Sequence, residues 1–193
     1  MPLNVWSRTT RFLHLGLAVT VTLQLFLSLV METPEPGEVP AGGIFWQFFE
    51  AHEVIGLTAL VFVVCHWIWL AKAKDTGFRH LFPWDAEGRR EIVADLKGIF
   101  NKHLPEGGPR GGLVGLVHGL GFLAVTGMVI TGGAIFGFIT TNGLASNAAH
   151  TCEELHELCS NFVWVYWFGH GSMALIHQLA GQDTLRQMFA WKS

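Results

Sequence analysis

Charge is what this sequence has least of. Asp, Glu, Lys and Arg make up 14% of its 193 residues, where an ordinary soluble domain carries about 25%. So sparse a complement excludes a conventional water-facing domain of this length. GxGxxG, CxxC and HExxH are also absent. Their absence removes the dinucleotide fingerprint, the dithiol redox pair and the zinc-protease helix. Without CxxCH, no haem is attached covalently in the c-type manner. Arg8 and Arg11 precede an apolar run that continues past Val30 with no small-residue cleavage site, so that run is expected to be a retained span and not a removed signal. No internal repeat is visible, and a net charge of −3 gives no cause to expect a nucleic-acid partner.

What is present is hydrocarbon: half of the residues are hydrophobic. Four stretches are long enough to cross a bilayer, which takes about 20 helical residues. They cover approximately 10–30, 48–71, 112–139 and 155–179. Backbone polar groups in lipid must be satisfied within their own segment, so each is expected to be a helix. The predicted fold is therefore an all-α, four-transmembrane-helix bundle forming one domain over 1–193. Gly115, Gly119, Gly121, Gly127, Gly132 and Gly133 crowd the third stretch; in a membrane they let a neighbouring helix or a flat cofactor come close.

All twelve Lys and Arg lie in three places: Arg8 with Arg11, the segment from Lys72 to Arg110, and Arg186 with Lys192. Neither the Met31–Glu50 nor the Thr140–Leu155 connection holds any. Four crossings put the three basic regions on one side, which the positive-inside rule makes the cytoplasm. Both termini and the 72–111 loop are thus expected inside. The opposite face is acidic, with Glu32, Glu35, Glu38, Glu50, Glu53, Glu153, Glu154 and Glu157. Within the inner loop, Ile92, Val93, Leu96, Ile99 and Phe100 fall at helical spacing opposite Arg89, Arg90 and Lys97. That predicts a helix over 86–100, lying at the membrane interface or serving as a solvated connector.

Ten histidines are many for such a chain, and an ionisable residue inside a span is a functional candidate by default. His14, His52, His66, His118, His156 and His170 sit in or at the edge of the spans, with His177 just beyond. His80, His103 and His150 read as loop residues. His156 and His170 are 14 residues apart, roughly 21 Å of rise and nearly four whole turns, so both face one way. Two levels of imidazoles result, one per leaflet. Pairs of imidazoles from facing helices suit haem iron held by two axial histidines, a closed coordination fitted to electron transfer. Hydrogen-bonded helix packing is the plain alternative for any single histidine. A proton relay or a transition-metal site is the other, and it lacks a chain of intramembrane carboxylates joining the two levels.

Cys152 and Cys159 flank His156. Within one helix they would sit about 10 Å apart by rise, so a disulfide requires Cys152 to lie in the loop. Trp6, Trp46, Trp84 and Trp191 suit interfacial belts, while Trp67, Trp69, Trp164 and Trp167 could line a cofactor or face lipid.

The segments VWSRTTRFLHLGLA, AHEVIGL, LHEL and HGSMALIHQLAGQDTLRQM resemble the bacterial cytochrome b561 family, within the group that includes b subunits of nickel hydrogenases and formate dehydrogenases. The likeness spans almost the whole chain. It implies a four-helix cytochrome of the bacterial inner membrane, with two haem b, moving electrons between the quinone pool and a redox partner. By position, His52 and His156 would hold an outer haem and His14 and His170 an inner one. Arg8 and Arg11 would be placed to meet haem propionates. His66 stands where the family usually has Arg, and it follows His52 by the same 14 residues, so a pairing of His66 with His170 stays open. His66, His118 and His177 are otherwise second-rank haem or quinone contacts.

The expected partners are the lipid membrane, quinone or quinol, and either a periplasmic c-type cytochrome docked on the acidic face or a dehydrogenase subunit; a homodimer is left open. Enzymatic action is expected only in the sense of a quinol/quinone oxidoreductase. Two other functions compete: a membrane-anchor subunit of a hydrogenase or dehydrogenase, and a haem-free transporter or proton channel.

Overall fold

The computed structural model describes residues 6–33, 42–72, 78–105, 108, 110–141 and 146–189. Seven helices account for nearly all of them, and no strand occurs among the described residues: α1 (Arg8–Leu27), α2 (Ile44–Lys72), α3 (Phe78–Leu81), α4 (Ala86–Phe100), α5 (Gly112–Thr140), α6 (Asn147–Leu179) and α7 (Thr184–Phe189). Three of these, α1, α2 and α5, are long and apolar enough to cross a membrane. At 33 residues α6 is the longest, but Glu153, Glu154, Glu157 and four histidines interrupt its apolar character.

Polar caps set where the helices begin. The Ser7 hydroxyl accepts from Thr10 N–H at 3.1 Å and Ser146 from Ala149 N–H at 3.2 Å, each satisfying an orphan donor of the first turn. Because Ser146 opens α6, Cys152 lies inside the helix with Cys159. Both cysteines are free, and the loop position that a bridge requires is not adopted. His150 likewise sits in the first turn of α6, and His80 in α3, where the sequence reads as loop. At the other end of α6, Gly181 takes φ +83°. There Gln182 N–H reaches His177 O at 3.0 Å and Gly181 N–H reaches Gln178 O at 3.1 Å, a Schellman stop.

Two compact units make up the chain. One comprises Met1–Leu13, His66–Leu123 and Val165–Ser193; the other comprises His14–Cys65 and Ala124–Trp164. The long helices contribute to both, and their inward residues recur at alternating three and four positions, as packed helices require. On α2 that row is Phe49, His52, Gly56, Ala59, Val63, His66 and Leu70. On α6 it is Ala149, Cys152, His156, Cys159, Val163, Tyr166, His170 and His177. Phe49, Ala59, Val63, Leu70, Ala149 and Val163 are all buried. The histidines therefore occupy core-facing positions and not the outward ones, where Val54, Val61, Phe162, Val165 and Phe168 are exposed.

In the first unit α3 lies against α5, with the Leu81 carbonyl over Gly119 and the His80 carbonyl over Gly115. Trp67 is surrounded by Phe78, Phe82 and Phe122 at 5.9, 6.4 and 4.9 Å between ring centroids. Asp95 of α4 receives Arg110 at 2.7 Å and also accepts Leu113 N–H at 3.0 Å, so α4 caps the start of α5 with a carboxylate.

Candidate functional site: facing histidines

In the second unit, the α2 and α6 rows bring the rings of His52 and His156 together edge-on. Their ring centroids are 6.5 Å apart with the planes at 79°. The two residues are contacted differently, His156 at its ring and His52 at its backbone. The His156 Nδ1 lies 2.9 Å from Thr131 Oγ1 of α5. Gly132, next to Thr131, leaves the space that this ring occupies, since a Cβ there would stand 3.0 Å from His156 Cε1. At His52, the Gln24 amide of α1 donates to the backbone carbonyl at 2.7 Å, and Gly56 makes room for that amide. The His52 Nδ1 is buried and has no hydrogen-bond partner among the described residues.

The first unit holds a second group of imidazoles. His170 stacks on Tyr166 at 5.1 Å and 15°, and His118 of α5 meets His170 edge-on at 5.0 Å. Gly121 admits the Tyr166 ring. His66 lies 4.8 Å from Phe122 between ring centroids, and its Nδ1 is buried without a hydrogen bond among the described residues. His14 sits on α1 within the second unit and His170 within the first. Arg8 is exposed at the start of α1, and Arg11 is half-buried one turn before His14.

His177 has a different occupation. It is 7% exposed, and its Nδ1 lies 2.9 Å from Gln182 Oε1, inside the turn that ends α6. Thr131, Gln24 and Tyr166 escaped the sequence reading. Their signals were faint: one amide in the apolar run of α1, the only Tyr of the chain, and a threonine beside paired glycines.

Long apolar helices that turn histidines toward one another suit a membrane cytochrome b. The chain belongs to the prokaryotic cytochrome b561 family, whose model matches residues 5–191. No curated protein and no solved structure matches it. Membership makes it a membrane-bound b-type cytochrome engaged in electron transfer and implies haem b.

The second-unit pair fits that group. With about 2.0 Å from metal to nitrogen and about 1.2 Å from nitrogen to ring centre, two imidazoles coaxial through one metal have centroids about 6.4 Å apart. The observed 6.5 Å between centroids is close to that separation. By contrast, the 5.0 Å between His118 and His170 is too short for one ion to stand on the line between their centres.

Proposed function

We propose that the chain carries electrons across the bacterial inner membrane as a di-haem cytochrome b, between the quinone pool and a redox partner. Its four long helices each cross the membrane, α6 included, with both termini and the 72–111 loop on the cytoplasmic side. The basic residues of the three inner regions support that orientation. The exposed Phe162, Val165, Phe168, Leu175 and Leu179 support a lipid-facing side for α6 despite its glutamates.

His52 and His156 are the axial ligands of the outer haem, and His14 with His170 of the inner one. The 6.5 Å spacing of His52 and His156 is the observation that carries this reading. Bound haem b supplies a one-electron couple at its iron. The chain's own residues hold the imidazoles at that spacing on the helix rows, orient His156 through Thr131, and keep Phe49, Val63, Val129 and Val163 buried away from water. With two histidine nitrogens holding each haem, the iron would have no position left for oxygen. Arg11, one turn before His14, is placed to meet a propionate of the inner haem. The acidic residues at the outer ends of α2 and α6 suit a basic periplasmic partner.

The pairing of His66 with His170 is the specific rival for the inner haem, and it draws on both residues lying in the first unit. A pyridine haemochrome assay with reduced-minus-oxidised spectra decides between them, on wild type, His14→Ala and His66→Ala. Two haem b per wild-type chain, one after His14→Ala and two after His66→Ala, is the expected result. Loss confined to His66→Ala overturns the inner pairing. A colourless wild type overturns the whole reading and leaves a haem-free transporter.

A further inference from the structure

Thr131 is buried at 9% exposure in the middle of α5, where a polar side chain calls for a reason. Its hydroxyl lies 2.8 Å from Gly127 O and 3.2 Å from Met128 O, and 2.9 Å from His156 Nδ1. A hydroxyl has one proton, and a carbonyl oxygen can only accept. The Thr131 proton therefore goes to the carbonyls of its own helix, and the contact with His156 must be supplied with a proton by Nδ1. With Nδ1 as the donor in this contact, His156 carries its proton there and leaves the lone pair on Nε2.

Threonines in helices commonly bond back to the preceding turn and do nothing else. That accounts for the bond to Gly127 and leaves the imidazole contact unexplained. Gly132 adds a second, independent feature, because it is the space beside Thr131 that lets the ring approach. His52 has no equivalent: its Nδ1 finds no hydrogen-bond partner among the described residues. The two members of the facing pair are held differently.

We infer that Thr131 is a positioning residue that fixes the tautomer of His156 and thereby lowers the reduction potential of the haem this imidazole holds. The inference rests on the ligand reading proposed above. An Nδ1–H that donates to oxygen makes Nε2 the more basic. A more basic axial nitrogen favours the oxidised, more positive iron. Replacing the hydroxyl with a methyl group of the same shape removes an acceptor while keeping the packing volume.

The test is a redox titration of the purified holoprotein, with electron paramagnetic resonance of the oxidised form, on wild type, Thr131→Val, Thr131→Ser and His156→Ala. Thr131→Val is expected to keep both haems, raise the potential of one and move that haem's low-spin signal, while Thr131→Ser restores both readouts. Loss of a haem in the valine variant alone, with serine at the wild-type potential, equally supports the role of the hydroxyl. Loss in both assigns Thr131 to packing and overturns the inference. Unchanged potentials and signals in Thr131→Val, beside a lost haem in His156→Ala, overturn it while the ligand reading stands. A full haem complement in His156→Ala brings down the ligand reading, and the inference with it.

Discussion

His52 and His156 stand across from each other with ring centroids 6.5 Å apart, near the distance that one coaxial metal ion between two imidazoles sets. If that spacing exists to hold iron, either residue alone is insufficient. His52→Ala and His156→Ala should each reduce haem b from two to one per chain, with the same haem lost in both. His177→Gln should keep two, since that ring is engaged with Gln182 in the turn ending α6. Haem-to-protein ratios on purified material check this. Two haems retained in either alanine variant would remove the outer site.

Gly132 and Gly133 are neighbours with opposite surroundings. A Cβ on Gly132 would stand 3.0 Å from His156 Cε1 and 3.5 Å from Nδ1, whereas nothing lies within 4 Å of one on Gly133. Gly132→Ala should tilt the His156 ring, shifting the α-band of one haem and lowering its occupancy by a sizeable fraction. Gly133→Ala should leave spectrum and occupancy unchanged and tighten the helix slightly, by up to about 1 kcal/mol. Equal spectra for the two variants would show that His156 does not use the space over Gly132.

These two neighbours also show what was legible in the sequence and what was not. The 14-residue spacings of His52 with His66 and His156 with His170 place each pair on one face by helical geometry alone, and the buried rows of α2 and α6 are those faces. The all-α architecture follows as directly, from apolar runs too long for strands. Helix α6 begins ahead of the apolar run because a serine hydroxyl caps Ala149 N–H, although His150, Glu153 and Glu154 read as loop in the sequence. Thr131 escaped because a threonine that bonds its own helix and one that also orients a histidine look alike in sequence. The role of His177 was hidden for a related reason. Its partner Gln182 comes within reach only through the left-handed turn at Gly181.

Asp85 caps α4. Its carboxylate accepts Gly88 N–H at 2.7 Å and pairs with Arg79 at 2.6 Å. The Gly88 N–H first, and the Arg79 guanidinium after it, hold the carboxyl below the usual aspartate range. A group lowered on folding contributes its stability above the unfolded value, near about 3.9, and loses it as pH falls through the folded one. The first turn of α4 should therefore loosen below about pH 4, seen as faster amide exchange at Gly88 relative to the helix interior. Asp85→Asn keeps a capping oxygen and should abolish that acid sensitivity while preserving protection at neutral pH. Since Arg79 and Asp85 are exposed, salt should matter little to the cap itself. An acid-dependent exchange profile unchanged in Asp85→Asn would count against the assignment.

Gly119 bears the Leu81 carbonyl directly, and a Cβ there would collide with that oxygen; at Gly115 the collision is with the His80 carbonyl. A flexible side chain could swing away, but these are backbone atoms of a segment pinned by buried Leu81 and Pro83. Relief would have to come from lifting α3 off α5, exposing Leu81 and the flank of Phe122. Gly119→Ala should therefore destabilise the protein by about 2–3 kcal/mol, the upper part of the usual range for overpacking. Gly137→Ala, in the same helix with nothing within 4 Å, should be neutral or mildly stabilising by its better helix propensity. Thermal unfolding in detergent, followed by circular dichroism, separates the two. The expected pattern is a clear drop in midpoint for Gly119→Ala alone. Equal midpoints would mean that α3 does not rest on α5 in the folded protein. The Trp67 environment offers a second readout, since its ring sits among Phe78, Phe82 and Phe122 and should become more polar when α3 lifts. A lowered midpoint with unchanged Trp67 emission would place the damage within α5 itself and not at the α3 contact.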